Sequence, residues 1–327
     1  MVQVMDAVLY FNEVELFCAR YDLLKDVVDK FCVFESGTTF TGHPKPNDFW
    51  SDLARVGFAV DVERISYLRL DALPDPATAK ADARYARECA LVARIGADMG
   101  AQWFKEHLSR ELMKRTFEQA ADDDVVLISD VDEIPTPDAV CQTVKALQGA
   151  PQAIVSIPMR DFVGSIACDT GKPWEGTFAM CKRRAMGTPL SLVRSLDLST
   201  GQRTFSGVVR GDLGGWHFSS FGGSDVVERK IKAWGHQELN RWDIRLFLGA
   251  NIALGRDIFG RDIRGRHRAL SGGDLLNPMA YFDASRWYHG FICGEAKGDL
   301  KAYLLRMCFV GVQIARRVLN RVGLLQA

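Results

Sequence analysis

Three acidic residues directly follow an apolar run, and their types and spacing suit metal binding. The run 125–128 leads through Ser129 to Asp130, Asp132 and Glu133. In an extended backbone, residues two apart point the same way, so Asp130 and Asp132 should converge on one hard cation while Val131 points into the protein. This spacing predicts an Asp-x-Asp metal site. A solvated acidic turn that caps the next helix is the alternative interpretation.

The apolar run predicts a strand that positions these acids. Its residues are short and β-branched or aliphatic, which is typical of a strand buried on both faces. Ligands in open α/β sheets bind at the C-terminal ends of strands, so acids at this end favour the metal interpretation. The sequence 136–138 then predicts the start of a helix.

Composition and cysteine usage narrow the class of protein. The chain has 327 residues, 47% of them hydrophobic, and a formal net charge of zero, which indicates a globular protein and disfavours nucleic-acid binding. Its eight cysteines include no C-x-x-C pair, so we expect reduced thiols in a cytoplasmic protein. The N-terminus has no signal-peptide pattern, and no apolar run is long enough to span a bilayer.

Strand and helix patterns alternate in the first half of the chain, which predicts an α/β fold with a mostly parallel central sheet. Asn12 and Glu15 have the form of a capping box before the first helix. After residue 150 strands follow one another without regular helices, which predicts a smaller antiparallel part. The predicted strands are 4–11, 31–34, 59–64, 125–129, 153–159 and 177–182; the helices are 14–24, 77–119 divided near Gly96 and Gly100, 136–149, 224–234 and 241–253.

Several other residues are candidates for ligand contacts. Glu35 follows the second strand, and Lys45 lies in a Gly/Pro-rich loop, where it either contacts a phosphate or is solvated. Pairs of glycines bracket Trp216 and His217, which indicates a close approach of backbone or ligand. Most arginines of 77–119 are expected to be surface charges, and the alternative is that one or two from its second half reach the acidic strand end, where a diphosphate needs positive partners.

The C-terminal part is basic. The segment Arg256–Arg268 either closes over an anionic ligand or forms a solvated turn. The pattern of 299–325 predicts a basic amphipathic helix, which lies on an anionic membrane surface, packs against the protein body or forms a dimer interface. We therefore divide the chain into a catalytic domain, 1–295, and a terminal helix, 296–327.

Ordered motifs across residues 8–257 resemble glycosyltransferase family 17, which includes the enzyme that adds the bisecting N-acetylglucosamine of N-glycans. The motifs are Phe11-Asn12-Glu13, Glu15-Leu16, Arg20, Asp26-Val27-Val28-Asp29, Glu35, Thr39-Phe40-Thr41-Gly42, Lys45-Pro46, Ser129 to Pro135, Gly215-Trp216-His217-Phe218-Ser219 and Lys232 with His236-Gln237-Glu238. The resemblance implies a GT-A type nucleotide-sugar fold. It also implies transfer of N-acetylglucosamine from UDP-GlcNAc, with inversion to a β-linkage, and a Mn²⁺ or Mg²⁺ ion.

Residue roles follow from the resemblance. Asp132 is the first choice of metal ligand, Asp130 shares the metal or holds the donor ribose, and His217 is a further candidate ligand. Five further residues are expected to line the donor pocket: Asn12, Glu13, Glu35, Lys45 and Trp216. Glu133 is expected to lie behind the metal site. For the base that deprotonates the acceptor, Asp225 comes first and Glu35 second.

The chain also departs from the family. It has no N-terminal anchor like that of the Golgi enzymes, and Arg160–Met186 matches the family poorly. We therefore expect a cytoplasmic enzyme, either free or peripheral at the inner face of the membrane, that builds a surface polysaccharide or glycolipid. One rival is a phosphohydrolase of the haloacid dehalogenase type using Asp130 and Asp132, although Ile134 stands where that motif needs a hydroxyl residue. A non-catalytic nucleotide-sugar-binding protein is the other.

Overall fold

A nine-stranded sheet organises the part of the chain that the computed structural model describes, residues 2–96, 100–195, 207–234, 237–253, 257–259 and 276–293. The strands are β1 (Val4–Tyr10), β2 (Lys30–Ser36), β3 (Ile65–Leu70), β4 (Val125–Asp130), β5 (Glu133–Pro135), β6 (Ile154–Val163), β7 (Asp169–Cys181), β8 (Val208–Arg210) and β9 (Gly215–Ser219). Their order is β3-β2-β1-β4-β7-β6-β9-β5, and β8 pairs with β6.

Strand direction divides this sheet into two parts. The first four strands in the order are parallel to one another. β7 is antiparallel to both β4 and β6, and β5 is antiparallel to β9. The predicted α/β fold, with a mostly parallel sheet and antiparallel members in the second half, is confirmed.

Helices flank the sheet on both faces. In the described ranges they are α1 (Val14–Leu24), α2 (Phe49–Val56), α3 (Pro76–Ala81), α4 (Ala86–Val92), α5 (Ala101–Leu112), α6 (Pro137–Gly149), α7 (Lys182–Gly187), α8 (Leu190–Arg194), α9 (Gly223–Ala233), α10 (Trp242–Ala253) and α11 (His289–Cys293). α1 coincides with its predicted range. α6 begins after Thr136, whose hydroxyl accepts from the backbone N–H of Ala139.

The core lies on both sides of the central strands. Alternate residues of β1 enter two hydrophobic clusters: Val4 and Val8 join one, and Met5 and Ala7 the other. Each fully buried phenylalanine stabilises such a cluster by about 1.5–3 kcal/mol. Because both faces of these strands are buried, polar side chains cluster where β1, β2 and β4 end.

Two local predictions were wrong, and a third was incomplete. The capping box does not form, because Asn12 has a φ of 60° and α1 has no side-chain cap. The third strand lies at Ile65–Leu70 and not at 59–64, because its position is set by pairing with β2. In 77–119 the predicted division near Gly96 and Gly100 is confirmed, because α4 ends at Val92 and α5 begins at Ala101, but the prediction lacked the further break that separates α3 from α4.

The predicted terminal helix, 299–325, lies outside the described residues, as does most of the basic segment Arg256–Arg268. The boundary at residue 296 stays a prediction. Of the described helices, none has the length and apolarity needed to cross a membrane.

Candidate active site

The acidic motif is a tight turn between two strands. β4 ends at Asp130, the backbone turns at Val131 and Asp132, and β5 begins at Glu133. Val131 is buried, as predicted, but the extended backbone expected between the two aspartates is not present. The two carboxylates consequently contact different cations.

Two arginines hold the Asp130 carboxylate. Arg110 of α5 donates to both oxygens, at 2.6 and 3.2 Å, and Arg194 at the end of α8 donates at 2.9 Å. Burial opposes ionisation of Asp130, but the charges of Arg110 and Arg194 outweigh it and hold its pKa far below the ordinary value. The alternative that an arginine from this helical region reaches the acidic strand end is confirmed by Arg110.

Glu133 lies behind these groups and is fully buried. It accepts hydrogen bonds from Arg194 at 2.5 and 2.6 Å, from the Trp174 indole at 2.6 Å and from the Asp130 backbone N–H at 2.7 Å. With both of its oxygens occupied, Glu133 orients the turn, Arg194 and Trp174.

Lys230 of α9 links Asp132 to the end of the first strand. Its ammonium lies 2.8 Å from Asp132 Oδ2 and 2.9 Å from Glu13 Oε1. Burial opposes the charge of Lys230, but Asp132 and Glu13 outweigh this effect and raise its pKa above the ordinary value. The structure therefore brings Glu13 and Asp132, both predicted site residues, to one cation.

His217 lies on the other side of Asp132. Its Nε2 is 4.0 Å from Asp132 Oδ1, and its Nδ1 is 2.8 Å from Asp161 Oδ1. Asp161 and His217 are register partners in the parallel pair of β6 and β9, which sets them side by side. Burial disfavours the imidazolium, but the bond to Asp161 and the charge of Asp132 outweigh it and raise the pKa of His217.

Trp174 of β7 covers this imidazole. The two rings stack with centroids 4.6 Å apart and planes inclined by 20°. A Cβ at Gly176 would lie 2.9 Å from Trp174 Cδ1 and 3.3 Å from Glu133 Cδ, so glycine is required for this packing. The indole nevertheless keeps 40% exposure, and it presents a rigid aromatic surface beside the acidic turn.

Arg20 supports the turn from beneath. It pairs with Asp6 in a fully buried ion pair and donates to the Ser129 hydroxyl at 2.6 Å and to the Glu133 carbonyl at 2.5 Å. One guanidinium thus fastens both β4 and β5 to the first strand.

Glu35 and Lys45 lie in a separate buried cluster. Lys45 Nζ is 2.5 Å from Glu35, and the other Glu35 oxygen accepts from the Phe49 N–H at 2.9 Å and the Tyr67 hydroxyl at 2.7 Å. Since both oxygens are occupied away from solvent, this geometry argues against Glu35 as the acceptor base, and against Lys45 as a free phosphate ligand.

Trp216 also differs from its prediction. Its indole is fully buried, donates to the Leu276 carbonyl at 2.8 Å and packs against Tyr281 and Phe282. The glycine-bracketed pattern identified a close approach correctly, but the aromatic ring fills the core and does not face a ligand.

Asn12 and Asp225 have simpler surroundings. Asn12 Oδ1 is buried and has no hydrogen-bond partner in the described part of the chain. Asp225 is exposed in the first turn of α9, where Ser224 lies within 3.5 Å, and five residues place it about 140° round the helix from Lys230.

A divalent cation fits the site only with help from a ligand. The described residues contain no group of three metal-ligating side chains, so Asp132 and His217 would supply two donors and substrate phosphates the remainder. Magnesium and manganese are commonly bound through one or two carboxylates together with phosphate oxygens. Carboxylate and imidazole donors suit either ion.

Sequence reasoning missed Arg194, Lys230, Asp161 and the role of Trp174. For Lys230 a signal existed, because Val227 and Ile231 predict that this face of α9 is buried, and a lysine on a buried face needs an anionic partner. No comparable signal marks Arg194.

The sequence matches the model of one protein family. The family model described as Glycosyltransferase family 17 matches residues 1–185, a range that includes Asp130 to Glu133 and Trp174 but ends before His217 and Lys230. A search of curated protein sequences finds no match.

A search of solved structures finds similarity to a 4-diphosphocytidyl-2C-methyl-D-erythritol synthase, with 14% identity over 65% of this chain and 90% of that chain and a TM-score of 0.35. A putative glucose-1-phosphate thymidylyltransferase from Bacillus anthracis has 9% identity over 66% and 88%, with a TM-score of 0.31. A galactosyltransferase bound to donor and acceptor sugar analogues has 11% identity over 64% and 73%, with a TM-score of 0.28.

The family match spans more than half of the chain and includes the acidic turn with its arginine partner Arg110. The curled, mostly parallel sheet with antiparallel members is the GT-A type fold that the sequence resemblance implied. The chain belongs to glycosyltransferase family 17 and is a glycosyltransferase.

Proposed function

We propose that this protein transfers N-acetylglucosamine from UDP-GlcNAc to a saccharide acceptor, with inversion to a β-linkage and with Mn²⁺ or Mg²⁺. The observation that carries the proposal is the convergence of Asp132, Lys230, Glu13 and His217 at the C-terminal ends of parallel strands. Nucleotides bind at this edge in open α/β sheets.

The charges of the site support a cation and a diphosphate together. In the described chain, five carboxylates (Glu13, Glu106, Asp130, Asp132 and Glu133) share three permanent cations (Arg110, Arg194 and Lys230). Carboxylates therefore outnumber cations by two, which favours a divalent ion. With that ion bound, the excess of carboxylates is balanced, and the ion is itself a partner for the diphosphate.

Each residue then has a defined task. Asp132 and His217 would hold the ion, which supplies Lewis-acid stabilisation of the leaving diphosphate. Arg110 and Arg194 orient Asp130, which shares the ion or accepts from the donor ribose. Asn12 Oδ1, buried without a donor among the described residues, would accept a hydrogen bond from the nucleoside.

Two assignments on the acceptor side complete the proposal. Asp225 is proposed as the base because its exposed carboxylate begins the helix that follows β9, although it lies about 140° round α9 from Lys230. Trp174 is proposed to stack against the acceptor sugar, supported by its rigid, exposed indole. We propose a cytoplasmic reaction that builds a surface polysaccharide or glycolipid, supported by six free cysteines among the described residues.

A donor panel tests the proposal. UDP-, GDP- and CMP-sugars with Mn²⁺ are compared by thermal shift and by nucleotide release. Selective stabilisation by UDP-GlcNAc together with slow UDP release is expected. UDP-GlcNAc binding without any release would support the non-catalytic binding protein, and stabilisation by another nucleotide sugar alone would refute the proposed donor.

Trp174 separates the acceptor side from the donor side. Trp174→Ala removes the proposed acceptor contact together with the stacking on His217 and the hydrogen bond to Glu133. We therefore expect the KM for a saccharide acceptor to rise at least about tenfold and UDP-GlcNAc hydrolysis to fall by less than that factor. Trp174→Phe should recover most of the loss. Initial rates at several acceptor concentrations measure both, and an equal loss of hydrolysis and transfer would contradict the acceptor role.

A further inference from the structure

The ammonium of Lys230 lies where a cation bound to Asp132 would be expected. It is within 3 Å of carboxylate oxygens from Asp132 and Glu13, at 2.8 and 2.9 Å, and Asp132 Oδ1 faces His217 at 4.0 Å. The most anionic point of the described site is thus already neutralised by the protein's own side chain.

A divalent ion and this ammonium cannot share the same carboxylate oxygen. Like charges a few ångströms apart repel strongly in a partly buried site, and the Lys230 side chain is only 24% exposed. A metal ion arriving alone would have to displace Lys230 from both carboxylates without offering it a new partner. A donor diphosphate changes this, because its oxygens can accept from Lys230 while they also bind the metal.

We propose that Lys230 is a built-in competitor for the metal: it keeps the Asp132 site closed to a divalent ion until a nucleoside diphosphate binds and takes over the lysine. Metal and nucleotide therefore bind together, and Lys230 moves from Asp132 to the diphosphate. This inference rests on the proposed function, because it assumes a metal and a diphosphate at the same site.

Mn²⁺ binding without any turnover tests the proposal. Free Mn²⁺ is measured by its electron paramagnetic resonance signal, with wild-type protein in the presence and absence of UDP. We expect Mn²⁺ affinity at least about tenfold higher with UDP, as strong coupling between the two ligands requires. Equal affinity with and without UDP would overturn the inference.

The variant Lys230→Met removes the competing charge and keeps the aliphatic chain. It should bind Mn²⁺ without UDP at least about tenfold more tightly than wild type, since Asp132 and Glu13 are then uncompensated. Its melting temperature should rise with Mn²⁺ alone, whereas that of wild type should not. Lys232→Met is the matched control, because Lys232 lies on the same helix, is 53% exposed and pairs with Glu228.

The outcomes separate this inference from the proposed function. If Lys230→Met and Lys232→Met bind Mn²⁺ equally, the competitor role is wrong, even when wild type releases UDP from UDP-GlcNAc. If wild type transfers no sugar but shows UDP-dependent Mn²⁺ binding that Lys230→Met loses, the competitor role stands and the proposed transfer fails. Should Lys230→Met unfold even with Mn²⁺, Lys230→Gln replaces it in the same measurement, and equal Mn²⁺ affinity of wild type with and without UDP would still refute the competitor role.

Discussion

Replacing Asp132 by asparagine should lower Mn²⁺-dependent UDP release from UDP-GlcNAc by about 100- to 1,000-fold, the usual effect of removing one electrostatic contact in an active site. Asp132 is 4% exposed and is the only carboxylate that the structure sets against both Lys230 and His217 in the described chain. Without its charge, the metal loses its proposed protein ligand. Initial rates with saturating UDP-GlcNAc measure the effect.

The fold should survive this change. Asparagine has nearly the same shape, and Lys230 keeps its contact with Glu13 at 2.9 Å. Asp123→Asn is the matched control, because this aspartate is 74% exposed and pairs only with Arg183 in the described residues. We expect activity within about twofold of wild type for the control, as for most exposed charges. Donor turnover in Asp132→Asn that is unchanged and insensitive to chelators would refute the metal site.

Arg20→Met should destabilise the protein by about 3–5 kcal/mol, because removing one partner of a buried ion pair leaves the other charge uncompensated. Arg20 and Asp6 are both fully buried, and Arg20 also fastens Ser129 and Glu133. The acidic turn should therefore loosen before the whole domain unfolds. Urea denaturation at constant pH measures the free energy of unfolding.

The control for this prediction is Arg84→Met. Arg84 pairs with Asp82 on the surface with 78% of its side chain exposed, so we expect a change below about 1 kcal/mol. The double variant Asp6→Asn/Arg20→Met should recover part of the loss, because no buried charge then lacks a partner. A cost for Arg20→Met similar to that for Arg84→Met would show that the buried pair does not hold the turn.

The strand before the acids and the first helices could be predicted because their signals are local. The apolar run 125–128 is typical of a strand buried in a sheet, and α6 has a helical period with a capped start at Thr136. The range of α1 was also predicted correctly, although its capping box does not form. The position of β3 was predicted wrongly because an edge strand is defined by its pairing with a neighbouring strand. Residues 65–70 pair with β2 and residues 59–64 do not, and the local sequence does not distinguish the two segments.

The cations of the site could not be placed from the sequence for a different reason. Lys230 is 98 residues from Asp132 and 217 from Glu13, and Arg194 is 64 from Asp130. The buried face of α9 indicates that Lys230 needs an anionic partner but does not say which one, and a single arginine is usually a surface residue. Arg110 was within reach because its helix directly precedes β4.

Trp216 shows how one pattern can serve two purposes. Glycines beside an aromatic residue indicate a close approach, and both a ligand and a neighbouring segment satisfy that requirement. Here the neighbouring segment is 276–282: the carbonyl of Leu276 accepts from the Trp216 indole, and the ring of Phe282 packs against it, so Trp216 is a core residue. The exposed aromatic of the site is instead Trp174 of β7, which lies within the range that the family model matches but in none of the short sequence motifs.

The most direct measurement is a crystal structure of the protein with UDP and Mn²⁺, with anomalous data collected at the manganese edge. We expect one manganese peak in contact with Asp132 and with the diphosphate, and Lys230 moved from Asp132 to a phosphate oxygen. A peak elsewhere, or UDP bound away from the turn between Asp130 and Glu133, would refute the proposed metal site.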